Sequence, residues 1–248
     1  MNKKIALITG AAKRRIGNAV AVALADRGYA IALHYRRSAD EARSTVERLE
    51  RCGVQAAAFQ ADLAEPHQID RLFDDVLNRF GRLDALVTTA ALWERTPLEQ
   101  LEADDLRRHL DVNTVGTFWC CRRAGLAMVQ QPEGGAIVTI GDAAVARPGL
   151  NYSAYLASKG AIPAMTRALA VELAHRNPNV RVNCILPGPI QKPDDTSPHD
   201  LQGTVAVTTL KRLGRPENIA EAAVFLIEND FVTGVCLPVD GGMSLGPA

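Results

Sequence analysis

A chain of 248 residues is long enough for one α/β domain with a large buried core. Its 28 basic and 28 acidic side chains cancel, so no general attraction to nucleic acid or to an anionic membrane surface is expected. The five cysteines are scattered without a CxxC pair, and no His, Cys and carboxylate side chains recur at metal-ligand spacing, which argues against a disulfide scaffold or a metal site.

Lys3-Lys4 runs directly into the apolar Ile5-Ala6-Leu7-Ile8, with neither a signal-peptide pattern nor an apolar run of membrane-spanning length. A cytoplasmic, reduced environment is the expectation. From there strand-like runs alternate with helical patterns to the end of the chain. The strands are expected at 5–9, 30–34, 55–60, 85–89, 136–140, 181–186 and 235–239, and the helices near 17–28, 38–52, 67–79, 102–131, 152–176 and 216–228. The strands are compact apolar runs, as expected where both faces of a sheet are covered. Strand–helix alternation without a linker predicts one domain over 1–248, a doubly wound parallel α/β sheet with right-handed crossovers.

The first strand leads into Thr9-Gly10-Ala11-Ala12-Lys13-Arg14-Arg15-Ile16-Gly17, a glycine-containing turn opening a helix. Backbone N–H groups and the positive end of a helix suit a pyrophosphate there, although two glycines are a weak signal. The second strand ends in His34-Tyr35-Arg36-Arg37-Ser38, with no carboxylate before Asp40. An acidic residue at that end would bind the ribose 2′-hydroxyl of NAD; Arg14, Arg36 and Arg37 instead suit a 2′-phosphate, so NADP(H) is expected. Asp62-Leu63 follows the third strand, where an Asp can bond an adenine edge or cap the next helix.

Farther along, Tyr155-Leu156-Ala157-Ser158-Lys159 lies in a helical pattern, and residues four apart share a helix face. A cation near a phenol can lower its pKa and let it exchange a proton with a small-molecule substrate while a nicotinamide supplies hydride. Residues 187–215 are rich in Pro, Gly and polar side chains, a pattern expected of a substrate loop or lid at the carboxyl ends of the strands.

The glycine turn, Asp62, Asn113, the Tyr155/Lys159 pair, Pro187-Gly188, Val232-Thr233-Gly234 and Val239-Asp240-Gly241-Gly242 appear in the order of the short-chain dehydrogenase/reductase family, which the whole chain resembles. The resemblance implies a seven-stranded Rossmann sheet and a homotetramer, in which the alanine-rich segments 112–129 and 154–174 could pack between subunits or face the core. It implies Tyr155 as general acid/base, Lys159 on the nicotinamide ribose and lowering the Tyr pKa, and Asn113 holding a relay water. The expected cofactor contacts are Gly10, Lys13, Arg14, Ile16, Gly17, His34, Tyr35, Arg36, Arg37, Ser38, Asp62, Leu63, Thr89, Ala90, Pro187, Gly188 and Ile190.

Departures from the family pattern narrow the reading. Asp142 stands where the family usually has Ser, thirteen residues before Tyr155, and is either a proton relay or a turn cap. An Asp there, the Thr9–Arg14 and Leu33–Ser38 segments, and Trp93 resemble the pteridine reductase and dihydromonapterin reductase branch. Trp93 would stack on a flat substrate ring or pack in the core. Against that, Thr88-Thr89-Ala90-Ala91 replaces the usual Asn-Asn-Ala-Gly, a substrate-contacting Ser is Ala91, Lys192 replaces a common Thr, and the phosphate turn carries one extra residue. The expected activity is NADPH-dependent reduction of a pterin or similar heterocycle. A 3-oxoacyl-[acyl-carrier-protein] reductase and a low-turnover cofactor-binding regulator are the alternatives.

Overall fold

A computed structural model describes residues 3–190 and 205–246. The strands are β1 (Ile5–Thr9), β2 (Ala30–Tyr35), β3 (Ala56–Gln60), β4 (Ala85–Thr88), β5 (Gly135–Ile140), β6 (Val180–Pro187) and β7 (Cys236–Val239). They form one seven-stranded parallel sheet in the order β3-β2-β1-β4-β5-β6-β7. The helices are α1 (Ile16–Asp26), α2 (Ala39–Arg51), α3 (Pro66–Phe80), α4 (Ala103–His109), α5 (Thr117–Met128), α6 (Ser153–Arg176) and α7 (Pro216–Glu228).

The apolar strand runs are explained by two separate cores. Side chains alternate across a strand, so Ala6, Ile8, Ile31, Leu33, Ala85, Val87 and Val138 enter a core shared with α1, α2 and α7. Their neighbours Leu7, Ala32, Leu86, Ile137 and Val182 enter a second core beneath α3, α5 and α6. No polar face is left on the central strands, and that is why their sequence shows runs rather than alternation.

Strand order reverses between β1 and β4, which opens a crevice at their carboxyl ends. Both expected functional segments, the glycine turn after β1 and Asp142 after β5, lie at that end of the sheet.

The single helix expected over 102–131 is instead three pieces. Between α4 and α5 the chain makes a π-helical segment, Leu110–Gly116, with Asn113 inside it. A wider turn re-aims the side chains it carries, and such segments are frequent at functional sites. Gly116 is needed here for space: a Cβ would lie 2.3 Å from the Leu63 carbonyl oxygen. No helix of the described residues is long and apolar enough to cross a membrane. Of the expected substrate loop, 191–204, with Lys192, lies outside the described residues. Its described end is tied to the C-terminal segment: Leu210 N donates to Gly241 O (3.0 Å), and Arg147 reaches both Val207 O (3.3 Å) and Met243 O (3.4 Å).

Candidate active site

The turn after β1 is built around close approach. Gly10 has φ +67°, and a Cβ on it would sit 2.8 Å from Ala90 Cα; a Cβ on Gly17 would sit 2.3 Å from Thr89 Oγ1. Thr89 donates to Thr9 O (2.5 Å), and Ala90 N donates to Thr9 Oγ1 (3.1 Å). The Thr that replaces the usual Asn therefore ties the end of β4 to the end of β1. Its neighbour Thr88 keeps a buried hydroxyl without a hydrogen-bond partner among the described residues.

The extra turn residue finds its place in an outward bend. Ala11 and Ala12 are buried, and their carbonyls accept from Asn18 Nδ2 (3.2 Å) and Thr45 Oγ1 (3.1 Å). Lys13, Arg14 and Arg15 then turn through solvent, closed by Arg15 N donating to Lys13 O (2.7 Å), and α1 starts at Ile16. No side chain caps that helix end and its first turn has no acidic residue, so its N–H groups and partial positive charge face the crevice.

The expected contacts after β2 divide into two kinds. His34 is 2% exposed; Gly10 N donates to its Nδ1 (3.1 Å), and its Nε2 lies 3.0 Å from Ala61 O, which makes Nε2 the protonated nitrogen. It is a neutral strut joining the phosphate turn to the end of β3, rather than a cofactor contact, because burial holds its pKa down at about 4. Arg36 and Arg37 are exposed, Tyr35 and Ser38 half-buried. Arg36 lies 3.7 Å from Asp62, and Lys13 lies 3.8 Å from Glu41. Asp62 also accepts from Ala64 N (3.0 Å), the turn-capping geometry that competes with an adenine contact, while Leu63 is buried against the π segment. Across the crevice, Gly188 is committed to packing: a Cβ would lie 2.5 Å from Asp240 Cα. Ile190, beyond Pro187, bridges to Gly214.

At the other end of the crevice Tyr155 and Lys159 occupy successive turns of α6 and are both buried. The phenol donates to Asp142 Oδ2 (2.5 Å), and Asp142 Oδ1 accepts from Ala144 N (2.8 Å). Asp142 thus caps the turn through one oxygen and meets the phenol through the other. Lys159 Nζ donates to Ile140 O (2.8 Å) at the end of β5. Burial lowers its pKa to about 8, partly offset by the nearby Asp142 carboxylate.

The expected lowering of the Tyr155 pKa by Lys159 is not what this arrangement does. Burial raises the phenol well above its ordinary value, and the charge and hydrogen bond of Asp142 raise it further. The ammonium is spent on the Ile140 carbonyl, whereas the carboxylate faces the phenol directly. Asn113 likewise has little left for a side-chain relay. Its Nδ2 donates to Leu92 O (2.8 Å) and Ser158 Oγ (2.9 Å), and its Oδ1 accepts from Leu92 N (2.8 Å). It clamps the loop after β4 to the helix that carries Tyr155.

That loop presents Trp93, which is 50% exposed and therefore not a core residue. Its ring stacks on Tyr152 (centroids 5.4 Å apart, planes 19°), and Tyr152 meets Tyr155 edge-on at 6.3 Å. His109, 1% exposed, also packs edge-on to Tyr155 at 6.4 Å. Sequence reading missed Tyr152, His109 and Ser158. Tyr152 alone left a signal, an aromatic three residues before Tyr155; the others acquire meaning only when α4 and α6 meet.

The whole length of the chain finds relatives with this architecture. Residues 10–244 match a family model described as enoyl-(acyl carrier protein) reductase. A 3β-hydroxysteroid dehydrogenase of Eggerthella lenta is 33% identical over 98% of this chain and 95% of its own length. A 3-oxoacyl-[acyl-carrier-protein] reductase of Synechocystis is 32% identical over 98% of each. Among solved structures, a blue fluorescent protein from a metagenomic library in complex with NADPH superposes with a TM-score of 0.89 at 34% identity, over 98% of both chains. A glycine turn on an uncapped helix, a Tyr–Lys pair on α6 and full-length likeness to these oxidoreductases place the chain in the short-chain dehydrogenase/reductase family.

Proposed function

We propose that this oxidoreductase uses NADPH to reduce a C=N or C=O bond in a flat heterocycle, with a pterin as the favoured substrate. The observation that carries the reading is the Tyr155–Asp142 hydrogen bond beside a half-exposed Trp93. The cofactor supplies hydride when bound; its phosphates suit the uncapped start of α1, and a 2′-phosphate suits the exposed Arg14, Arg36 and Arg37.

Proton delivery follows from the pKa directions. A phenol raised by burial and by a facing carboxylate is a poor donor if it must end as a phenolate. In this relay a proton taken from solvent passes through the Asp142 carboxyl to the phenol oxygen as the phenol turns its own proton to the substrate. Tyr155 then gives up one proton as it takes another, and the negative charge comes to rest on a carboxylate, where the Lys159 ammonium attracts it. Trp93, backed by Tyr152, offers a ring face to a flat substrate.

A carbonyl substrate is the second reading, favoured by likeness to the Eggerthella and Synechocystis enzymes. NADPH oxidation with dihydrobiopterin, folate and an acetoacetyl thioester separates the two. Turnover of the pterins supports the first, turnover of the thioester alone supports the second, and binding of NADPH without any turnover favours a regulator. Trp93→Ala is expected to raise KM for the pterin about two- to tenfold, the worth of one aromatic stack, with kcat kept. An equal change with the thioester would remove the ring-stacking role. Arg37→Asp is expected to shift preference from NADPH towards NADH by about tenfold or more, the equivalent of one charge-assisted bond; equal weakening of both cofactors would count against a 2′-phosphate contact.

Assembly into a homotetramer is part of the same proposal. Val115 of the π segment, Phe118 and Leu126 of α5, and Phe225, Phe231 and Val235 around β7 are exposed apolar side chains that support burial between subunits.

A further inference from the structure

Arg147 follows the short helical turn Ala143–Val145 that Asp142 caps, and it opens the loop that ends at Tyr152. The side chain is half-buried. Both hydrogen bonds that it makes among the described residues come from Nη1, to Val207 O and Met243 O, so one nitrogen holds the guanidinium in place. Nε and Nη2, which form one edge of the planar fork, have no partner among the described residues. The carboxylates on the segments around it are engaged elsewhere. Asp142 meets Ala144 N and the Tyr155 hydroxyl, and Asp240 accepts from Gly242 N (2.9 Å) and Ser244 N (2.8 Å).

The facing loop adds charge of the same sign. Thr96 N donates to Asn151 O (2.8 Å), so the loop that carries Trp93 runs beside the one that carries Arg147. On it Arg95 is exposed and has no ion pair among the described residues, whereas Glu94 is matched by Arg108 (3.2 Å). The stacked pair of Trp93 and Tyr152 therefore lies between two cations that no carboxylate of the described residues answers. A guanidinium drawn partly out of water without a counter-charge is unfavourable, and an anion presented by a ligand relieves that cost.

We infer that Arg147 is a specificity-determining residue whose Nε and Nη2 edge binds a carboxylate on the tail of the substrate. The inference rests on the flat-substrate reading above and narrows it: with the ring on Trp93 and the tail at the turn after β5, a carboxylated heterocycle is preferred to a neutral one. A planar carboxylate meets two parallel N–H groups of that edge, a geometry that Arg offers and Lys does not. Nη1 stays on its two carbonyls, so the fork is oriented before the ligand arrives and little side-chain freedom is lost on binding.

Calorimetric binding to the full chain saturated with NADP+, which occupies the arginines of the cofactor end, tests this. Two ligand pairs differ only in charge: folate against its dimethyl ester, and 4-formylbenzoate against its methyl ester. In at least one pair the acid is expected to bind about tenfold more tightly than the ester, the worth of a charge-assisted contact. That ratio is expected to fall towards one in Arg147→Gln, whose amide can still donate to the Val207 or Met243 carbonyl. If the formylbenzoate pair shows the preference and neither folate ligand binds, the carboxylate subsite stands and the heterocycle reading falls. The subsite is overturned if acids and esters bind alike, if neither acid binds, or if the preference survives in Arg147→Gln.

Discussion

Tyr155→Phe is expected to lower kcat by a factor on the order of 10² to 10⁴, the usual worth of a positioned acid or base, with a much smaller effect on KM. The ring stays packed against His109 and Tyr152, so the loss is confined to one hydroxyl. Asp142→Asn is the more informative change. An Asn oxygen can still cap Ala144 N, and its amide can still meet the phenol, so folding is preserved, but an amide cannot hand over a proton and remain neutral. If Asp142 feeds Tyr155, kcat falls on the order of a hundredfold or more, and the double variant is no slower than Tyr155→Phe, because residues acting as one unit are not additive. Single-turnover kinetics of the four proteins measure this. Near-normal turnover of Asp142→Asn would reduce Asp142 to a turn cap and sink the relay.

The second large effect concerns stability below neutral pH. His34 has an ordinary pKa of 6.5 when unfolded and about 4 in the fold, where burial disfavours its charged form. The unfolded chain therefore binds this proton first. The stabilising contribution is complete above pH 6.5 and is lost as pH falls from there towards 4, by about 1.4 kcal/mol per unit and roughly 3 kcal/mol in all. Near pH 4, where the folded imidazole takes up its own proton, Nδ1 turns from an acceptor into a donor facing Gly10 N–H and the phosphate turn loosens. Urea unfolding between pH 7 and pH 4 should show this slope in the natural chain and lose it in His34→Gln. That variant is less stable at pH 7, since an imperfectly replaced buried strut costs about 1–3 kcal/mol. Parallel pH slopes in the two proteins would mean that His34 carries its charge in the fold.

Much of this protein was legible in its sequence. Apolar strand runs and amphipathic spacing are local properties, so the seven parallel strands and five of the six expected helices lie within about two residues of where they were expected. The glycine turn and the Tyr155–Lys159 spacing were equally plain, since both depend on residues close together in the chain.

Contacts between distant segments decided the rest. The break at Leu110–Gly116 left no mark in residue type, because a π segment depends on what its side chains must meet, here Leu92 and Ser158. His34, read as a cofactor contact, became a neutral strut once Gly10 and Ala61 enclosed it. The direction of the Tyr155 pKa was set first by burial and then by the Asp142 carboxylate that the fold put against the phenol while sending Lys159 to a carbonyl. Periodicity and turn chemistry are written in neighbouring residues. Hydrogen-bond partners, burial and the sign of an electrostatic shift are set by groups tens of residues apart, and only the packed chain brings those together.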